Sequence, residues 1–342
     1  MELKDKPENF LILDSNSILH RAFHALPPLT NKDGQVINAV YGFLLMLFKV
    51  IKDFQPRYIA ACFDRPEPTF RKQAFTEYKA KRIKAPDEFY AQIPITKEIL
   101  GLFNIPVFEK SGYEGDDIIG TLVEFSENNH SSQIKNIIIS GDLDNLQLVS
   151  ANTVVYFLVK GVKEGQLYDE SEIKKRFSGI SPSQIVILKS LKGDASDNIP
   201  GVKGIGEKTA LELIKEYGDL GHIYEEAEKE NSKIKQTIKE KLLTQKQEAY
   251  LSYALSQIKK DAELPIKLED CFWQGFNKEK AREYLLKMGF ISLSKKLPGD
   301  EDIKPLTFNN KINKKNKLKK SKKQIEQIKE LETKIGQNLK LW

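Results

Sequence analysis

A chain of 342 residues with a formal net charge of +6, 40% hydrophobic residues and two cysteines is long enough for two cores, or for one large α/β core with a helical appendage. Cys62 and Cys271 alone exclude a disulfide framework and any Cys-x-x-Cys metal site. No apolar run approaches the roughly 18 residues of a membrane span, and the charged start Met1 to Asn9 does not read as a signal peptide, so a cytoplasmic protein without a membrane partner is expected.

The positive charge is unevenly placed. Residues 304–323 hold nine lysines and no acid, which leaves −3 for the rest of the chain once those nine are set aside. Overall basicity therefore does not argue for nucleic-acid binding, and any such argument must come from local patches.

Short apolar runs alternate with helical periodicity along the first half. The pattern predicts strands at Phe10 to Leu13, Tyr58 to Phe63, Pro106 to Phe108, Asn136 to Ser140 and Val154 to Phe157. Between them it predicts helices around Val36 to Phe54, Glu88 to Phe103 and Asp116 to Glu127. Alternation of this kind implies an α/β fold with a mainly parallel sheet covered on both faces. From Glu170 to about Phe290 the pattern turns helical, with Gly-rich turns between Gly193 and Gly206. The expected divisions are a catalytic α/β domain over 1–175, a helical subdomain over 176–297 with a glycine clamp at 194–218, and a Lys-rich linker over 298–323. A terminal helix over 324–342 carries an apolar stripe, Ile325, Ile328, Leu331, Ile335 and Leu339, where a further domain would begin.

Carboxylates punctuate the strand ends. Asp14 closes FLILD, Asp64 closes YIAACFD, and Asp142 and Asp144 follow NIIISGD. Ligands of open α/β sheets bind outside the carboxyl ends of the strands, so these acids should converge on one rim. A single such Asp is more often an Asx-turn or a helix cap. The clusters change those odds: GYEGDD sets Glu114, Asp116 and Asp117 at a helix start, SGDLD sets Asp142 and Asp144 on one side of an extended segment, and GDASD sets Asp194 and Asp197 on one face of a turn.

Gathering carboxylates to about 4 Å costs on the order of 1 kcal/mol per pair in water and about 4 at an effective dielectric of 20. Positive charge must offset that. Oxygen ligands without Cys or His select hard ions, Mg²⁺ or Mn²⁺ rather than Zn²⁺, and two such ions can activate a water and stabilise the leaving oxygen of a phosphodiester. Two divalent ions would still leave nine acids in excess by five charges, so further cations are needed nearby. Residues 71–84 offer Arg71, Lys72, Lys79, Lys81, Arg82 and Lys84 against Glu77, interleaved with Phe70, Phe75 and Tyr78. Cations for phosphate with aromatics for unstacked bases suit a single-strand channel; a charged helix with a buried aromatic face is the alternative.

The string GVKGIGEKTA places Gly201, Val202, Lys203, Gly204, Ile205 and Gly206 before a helix from Glu207 to Tyr217. Free N–H groups there, with Lys203 and Lys208 beside them, suit a phosphate held without base reading.

Taken together, LILDSNSILHRAFHAL, AVYGF, FDRPEPTFRKQAF, YKAKR, GYEGDDIIGTL, SGDLDNLQLV and GDASDNIPGVKGIGEKTA, spread from about Phe10 to Phe290, resemble the 5′ nuclease domains of the bacterial DNA polymerase I family, in the flap endonuclease superfamily. The resemblance implies a PIN-like α/β domain with a helical arch near 70–90 and a helix-three-turn-helix DNA clamp. It implies Mg²⁺-dependent removal of 5′ flaps and RNA primers from branched DNA in replication and repair, in a bacterial, nucleoid-associated protein with polymerase domains in cis or in trans.

Carried over by position, Asp64, Glu114, Asp116, Asp117 and Asp14 resemble a first metal set, and Asp142, Asp144, Asp194 and Asp197 a second. Tyr78, Lys79 and Arg82 resemble arch residues at the scissile phosphate, Arg71 and Lys81 further DNA contacts, and the backbone of Val202 to Gly206 a clamp that also holds K⁺. Two positions depart from the family: Leu143 stands where Lys is usual and Ser15 where Gly is frequent. A non-catalytic junction binder would lack several of the acids. A PIN-type ribonuclease would lack the clamp, and a haloacid-type phosphatase needs an Asp-x-Asp where Asp14-Ser15-Asn16 stands.

Overall fold

Alternation of apolar residues orders the sheet. In β1 (Glu8–Asp14) Phe10 and Ile12 enter one core while Leu11 and Leu13 enter the other, all essentially without exposed surface. A strand buried on both faces is what a parallel sheet between helical layers requires. The computed structural model describes residues 7–298, apart from 131–132 and 162–163. The predicted linker beyond Pro298 and the terminal stripe lie outside the described residues.

β1 passes without a loop into α1 (Ser15–Ala25), because the Asp14 carboxylate caps it by accepting from the Ser17 amide at 3.2 Å. This helix is absent from the predicted elements. Then follow α2 (Asn38–Phe54), β2 (Tyr58–Cys62), α3 (Phe70–Ala74), α4 (Asp87–Tyr90), α5 (Gln92–Leu102), β3 (Val107–Phe108), α6 (Gly115–His130) and β4 (Ile134–Ser140). β5 (Thr153–Lys160), β6 (Glu164–Tyr168) and α7 (Glu170–Arg176) complete the α/β part. The helical part comprises α8 (Ile185–Lys192), α9 (Glu207–Tyr217), α10 (Leu220–Glu228), α11 (Gln236–Thr244), α12 (Lys246–Ser256), α13 (Lys278–Lys287) and α14 (Ile291–Ser294).

The strand order is β3-β2-β1-β4-β5-β6, parallel throughout except for β6, which runs antiparallel to β5. The chain builds outward from β1 through β2 and β3, then returns to add β4 and β5 on the other side. The reversal opens a crevice at the carboxyl ends of β1 and β4, the position where open α/β sheets bind ligands. Asp14 ends β1 and Ser140 ends β4, and Ser140 Oγ donates to Asp14 Oδ2 at 2.6 Å across that crevice.

The expected mainly parallel α/β fold with a helical C-terminal part is therefore present. The two parts share a core. Val202, Ile205, Leu213 and Ile214 of the helical part belong to the same apolar cluster as Phe10, Ile12 and the buried face of α6. The predicted 88–103 helix is broken at Ala91 into α4 and α5, and β6 went unpredicted because EGQLY is an edge strand with little apolar character. Among the described residues no helix is long and apolar enough to cross a membrane.

Candidate active site

The segments bearing the predicted acids meet at one cavity of about 490 Å³ at the carboxyl edge of the sheet. Seven of the nine line it: Asp14, Asp64, Glu114, Asp116, Asp142, Asp144 and Asp197. Each arrives by a different device. Asp14 ends β1, and Asp142 follows β4 in a turn closed by the Asp144 amide on Asp142 Oδ1 at 3.0 Å. Asp64 accepts from the Gly115 amide at 2.6 Å, and Asp116 rides the first turn of α6. Gly115 lets this approach stay close, since a Cβ would stand 3.1 Å from Asp64 Oδ1 and push it back.

Asp117 and Asp194 do not line the cavity. Asp117 is fully buried behind it, with its two oxygens 2.7 Å from the two terminal nitrogens of Arg71, and it also accepts the amides of Glu114 and Lys259. Asp194 is held by Lys189 Nζ at 2.6 Å and by the Ser196 amide and hydroxyl. In this structure Asp194 is thus paired with a lysine and Asp117 with Arg71, set back from the seven acids that line the cavity.

Arg71, Tyr78, Lys79 and Arg82 of the 71–84 segment line the cavity, though paired with its acids. Arg71 is 3% exposed and its donors are consumed by Asp117, Glu114 and the carbonyls of Leu255 and Gln257, so no free fork remains for a phosphate. Arg71 nonetheless lines the cavity, fully paired as a guanidinium in the core must be. Tyr78 is buried too, and its hydroxyl donates to Glu114 at 3.1 Å and to Asp197 at 3.4 Å. Its ring packs with Ile199, Leu255 and Phe75 instead of offering a stacking face. Lys79 Nζ binds Glu114 at 2.8 Å and Arg82 binds Asp197, both within the cavity mouth. Lys81 is solvent-exposed and lies outside the lining. The segment itself holds only the five-residue α3, turns over 75–82 and the single turn of α4.

Three residues of the site had no signal in the sequence. Lys189 of α8 bridges Asp144 and Asp194 from within an apolar helix, IVILKSLK. It supplies the cation that Leu143 does not. Ser140 anchors Asp14, and the buried Asn145 donates to Asp116 at 2.8 Å.

The electrostatics separate the acids. Glu114, Asp144 and Asp197 each meet a cation of the chain, while Asp14, Asp64, Asp116 and Asp142 meet none within 4.0 Å among the described residues. Burial pushes the Asp14 carboxyl up to about 6, against the pull of its hydrogen bonds from Ser140 and Ser17. Burial and the neighbouring Asp142 likewise raise Asp144 to about 6, although Lys189 pulls it down. Asp116 rises well above the ordinary range, through burial and through repulsion by Asp14, Asp142 and Asp144. Asp64 is open to solvent yet deep in the concave wall, and the surrounding protein raises it as well. Asp194, beside Lys189, falls to about 2 despite partial burial.

Such a cluster lacks positive charge. As the side chains stand, no three or more of the described His, Cys, Asp or Glu residues converge closely enough to hold a metal ion. Mutual repulsion and the pull of Lys79, Arg82 and Lys189 account for that spacing. The donor set still fits a hard divalent cation: its acids are all oxygen donors, and the four without a cation partner lie in or beside the crevice at the sheet edge.

In the glycine segment the amides of Gly201, Val202, Lys203 and Ile205 are donated within the protein, so they are not the free N–H groups expected for a phosphate. Val202 and Ile205 are buried anchors, while Lys203, Gly204, Gly206 and Lys208 face solvent at the start of α9. Gly201, at φ +63, must be glycine: a Cβ would lie 2.2 Å from the backbone nitrogen of Gly193. Gln245 brackets Lys203, accepting from its amide at 2.8 Å and donating to its carbonyl at 3.3 Å.

Residues 9–178 match the family model described as 5′-3′ exonuclease, N-terminal resolvase-like domain, and residues 180–279 match that described as 5′-3′ exonuclease, C-terminal SAM fold. DNA polymerase I of Caldicellulosiruptor bescii is 43% identical over 291 residues, covering 84% of this chain and 33% of that protein. DNA polymerase I of Bacillus subtilis is 38% identical over 293 residues, covering 86% and 32%. The chain spans about a third of the length of these curated relatives. The fold is shared with the bacteriophage T5 D15 protein co-crystallised with metal ions, at TM-score 0.61 and 18% identity over 84% of this chain and 97% of that one. It is shared with the catalytic core of Rad2 in complex with a DNA substrate at TM-score 0.52 and 18% identity, over 83% and 88%.

Proposed function

Because the chain belongs to the 5′-3′ exonuclease family, we propose that it is a structure-specific 5′ nuclease, an exonuclease and flap endonuclease that hydrolyses phosphodiesters in the 5′ flaps and RNA-DNA primers of branched DNA during replication and repair. The observation that carries this reading is the convergence of seven carboxylates from distant segments on one cavity.

Mg²⁺ or Mn²⁺ is the cofactor best suited to the donor set, and when bound such ions supply an activated water and charge stabilisation for the leaving oxygen. Asp14, Asp64, Asp116 and Asp142, the acids without a cation of their own, are the residues that would take it first, with Glu114, Asp144 and Asp197 completing the set. Lys79 and Arg82 sit in the mouth of the cavity, where they meet the scissile phosphate. Tyr78 fixes Glu114 and Asp197 by its hydroxyl, and Arg71 with Asp117 fixes the wall behind them. The N–H groups at the start of α9, with Lys203 and Lys208, grip duplex backbone without reading sequence, and their carbonyl-rich turn is a place for K⁺. Polymerase domains in cis or in trans are the expected partners, by analogy with the longer relatives, and the cytoplasm the expected compartment.

A non-catalytic DNA-junction binder is the second reading, favoured by the cations already seated on Glu114, Asp144 and Asp197. Incubation with a 5′-labelled flap duplex separates the two: the nuclease releases the flap with Mg²⁺ and not with EDTA, whereas a binder leaves the label uncut in both.

A further inference from the structure

Most acids of the cavity answer to a cation or a backbone amide. Asp116 is the exception. Among the described residues the only hydrogen bond its carboxylate accepts from outside its own turn comes from Asn145 Nδ2, at 2.8 Å. The same nitrogen lies 3.5 Å from Asp14 Oδ2 and 3.3 Å from Ser140 Oγ, so one neutral amide stands between two carboxylates from different elements.

Asn145 is fully buried in the 3-10 turn Asp144–Leu148. Its orientation follows from chemistry. The edge turned toward Asp14, Asp116 and Ser140 meets three oxygens, so it is the NH₂ group. That leaves Oδ1 buried with no hydrogen-bond partner in the protein. A residue present only for packing would avoid this penalty, since leucine carries no such atom.

The choice of a neutral donor has a consequence for charge. A lysine at this place would offset one charge of the pair, as Lys189 does for Asp144 and Asp194, and would compete with any incoming cation. An amide draws the two carboxyl groups together without adding a positive charge that an incoming cation would have to displace.

We propose that Asn145 is a positioning residue of the metal site, a neutral clasp between Asp14 and Asp116 that sets affinity for the divalent cation. This rests on the metal-dependent reading above. Groups that orient a metal's ligands without touching the metal typically alter affinity by about 10- to 100-fold when removed. Asn145→Leu therefore weakens Mn²⁺ binding at least about tenfold, with activity recovered by excess metal. Asn145→Thr, which returns a hydroxyl donor in a similar volume, regains part of the loss.

The test is calorimetric titration of Mn²⁺ into the full chain without DNA, for the parent and both variants, alongside their melting temperatures in EDTA. A second measurement needs no variant: the side-chain amide resonance of Asn145 in ¹⁵N-labelled parent protein shifts as Mg²⁺ is added, with the midpoint of metal binding. A folded Asn145→Leu protein that binds Mn²⁺ as tightly as the parent overturns the proposal. So does an Asn145 amide signal unmoved at saturating Mg²⁺, which decides the matter even if the leucine variant does not fold. Loss of the metal reading itself would look different, because the parent would then bind no Mn²⁺ at all.

Discussion

Arg71 of α3 and Asp117 of α6 face each other through two contacts of 2.7 Å, 3% and 0% exposed. The pair joins the cation-rich 71–84 segment to the acid-rich helix behind the cavity. Removing one partner of such a buried pair strands a charge and costs about 3–5 kcal/mol. Asp117→Ala is expected to lower stability by that order in a denaturant titration. A loss below about 1 kcal/mol, the range of an exposed pair, would show that the contact is not buried in solution.

The raised carboxyls give a pH signature. Asp14 and Asp144, both pushed to about 6, hold protons in the folded chain between their ordinary value and 6, where the unfolded chain has lost them. Metal-free stability therefore falls as pH rises through this window. Divalent cations must displace those protons, so Mg²⁺ affinity should climb between about pH 5 and 7, where ordinary carboxylates would already be ionised. Titration calorimetry at the two ends of that range checks it, and equal affinities would contradict the assignment.

Lys189→Met removes the ammonium shared by Asp144 and Asp194. Asp194, held near 2 by that lysine, loses the stability it contributes above its ordinary pKa, a contribution otherwise surrendered only as pH falls from about 4 toward 2. The expected outcome is a variant whose acid-unfolding midpoint moves to higher pH. An acid midpoint identical to the parent's would show that Lys189 and Asp194 do not pair.

Two glycines in one segment separate packing from accessibility. Gly201→Ala forces a Cβ to 2.2 Å from Gly193 N at a φ of +63, a cost above the roughly 1 kcal/mol of a tolerable exchange. Gly206→Ala meets nothing within 4 Å, so it should change stability by no more than about 0.5 kcal/mol. Thermal melts of the two variants check the contrast, and comparable losses would contradict the contact with Gly193.

Much of this was legible before folding. Apolar runs ending in Asp gave the strands and placed Asp14, Asp64 and Asp142 at their carboxyl ends, because strand periodicity and chain direction are properties of the sequence itself. α1 escaped because SNSILHRAFHA follows β1 without a break, its start set by the Asp14 cap. Lys189 and Asn145 escaped for another reason. One lysine in an apolar helix and one amide after a strand carry no pattern, and their roles come from which segments the topology sets opposite them. Arg71 and Tyr78 were legible as members of the site but not in their contacts: a basic stretch with aromatics reads as a nucleic-acid surface, whereas packing against Asp117, Leu255 and Ile199 sets both in the cavity wall.

The central claim is that these acids bind metal and cut DNA while the clamp binds it separately. Its most direct test follows binding and cleavage of one labelled 5′-flap duplex by the parent and by Asp116→Asn, with anisotropy read in EDTA and cleavage in Mg²⁺. The account predicts near-parental flap affinity for the variant and a cleavage rate at least about a hundredfold lower, the upper end of what even an outer partner of a metal ligand costs. Cleavage by Asp116→Asn at the parental rate would contradict it.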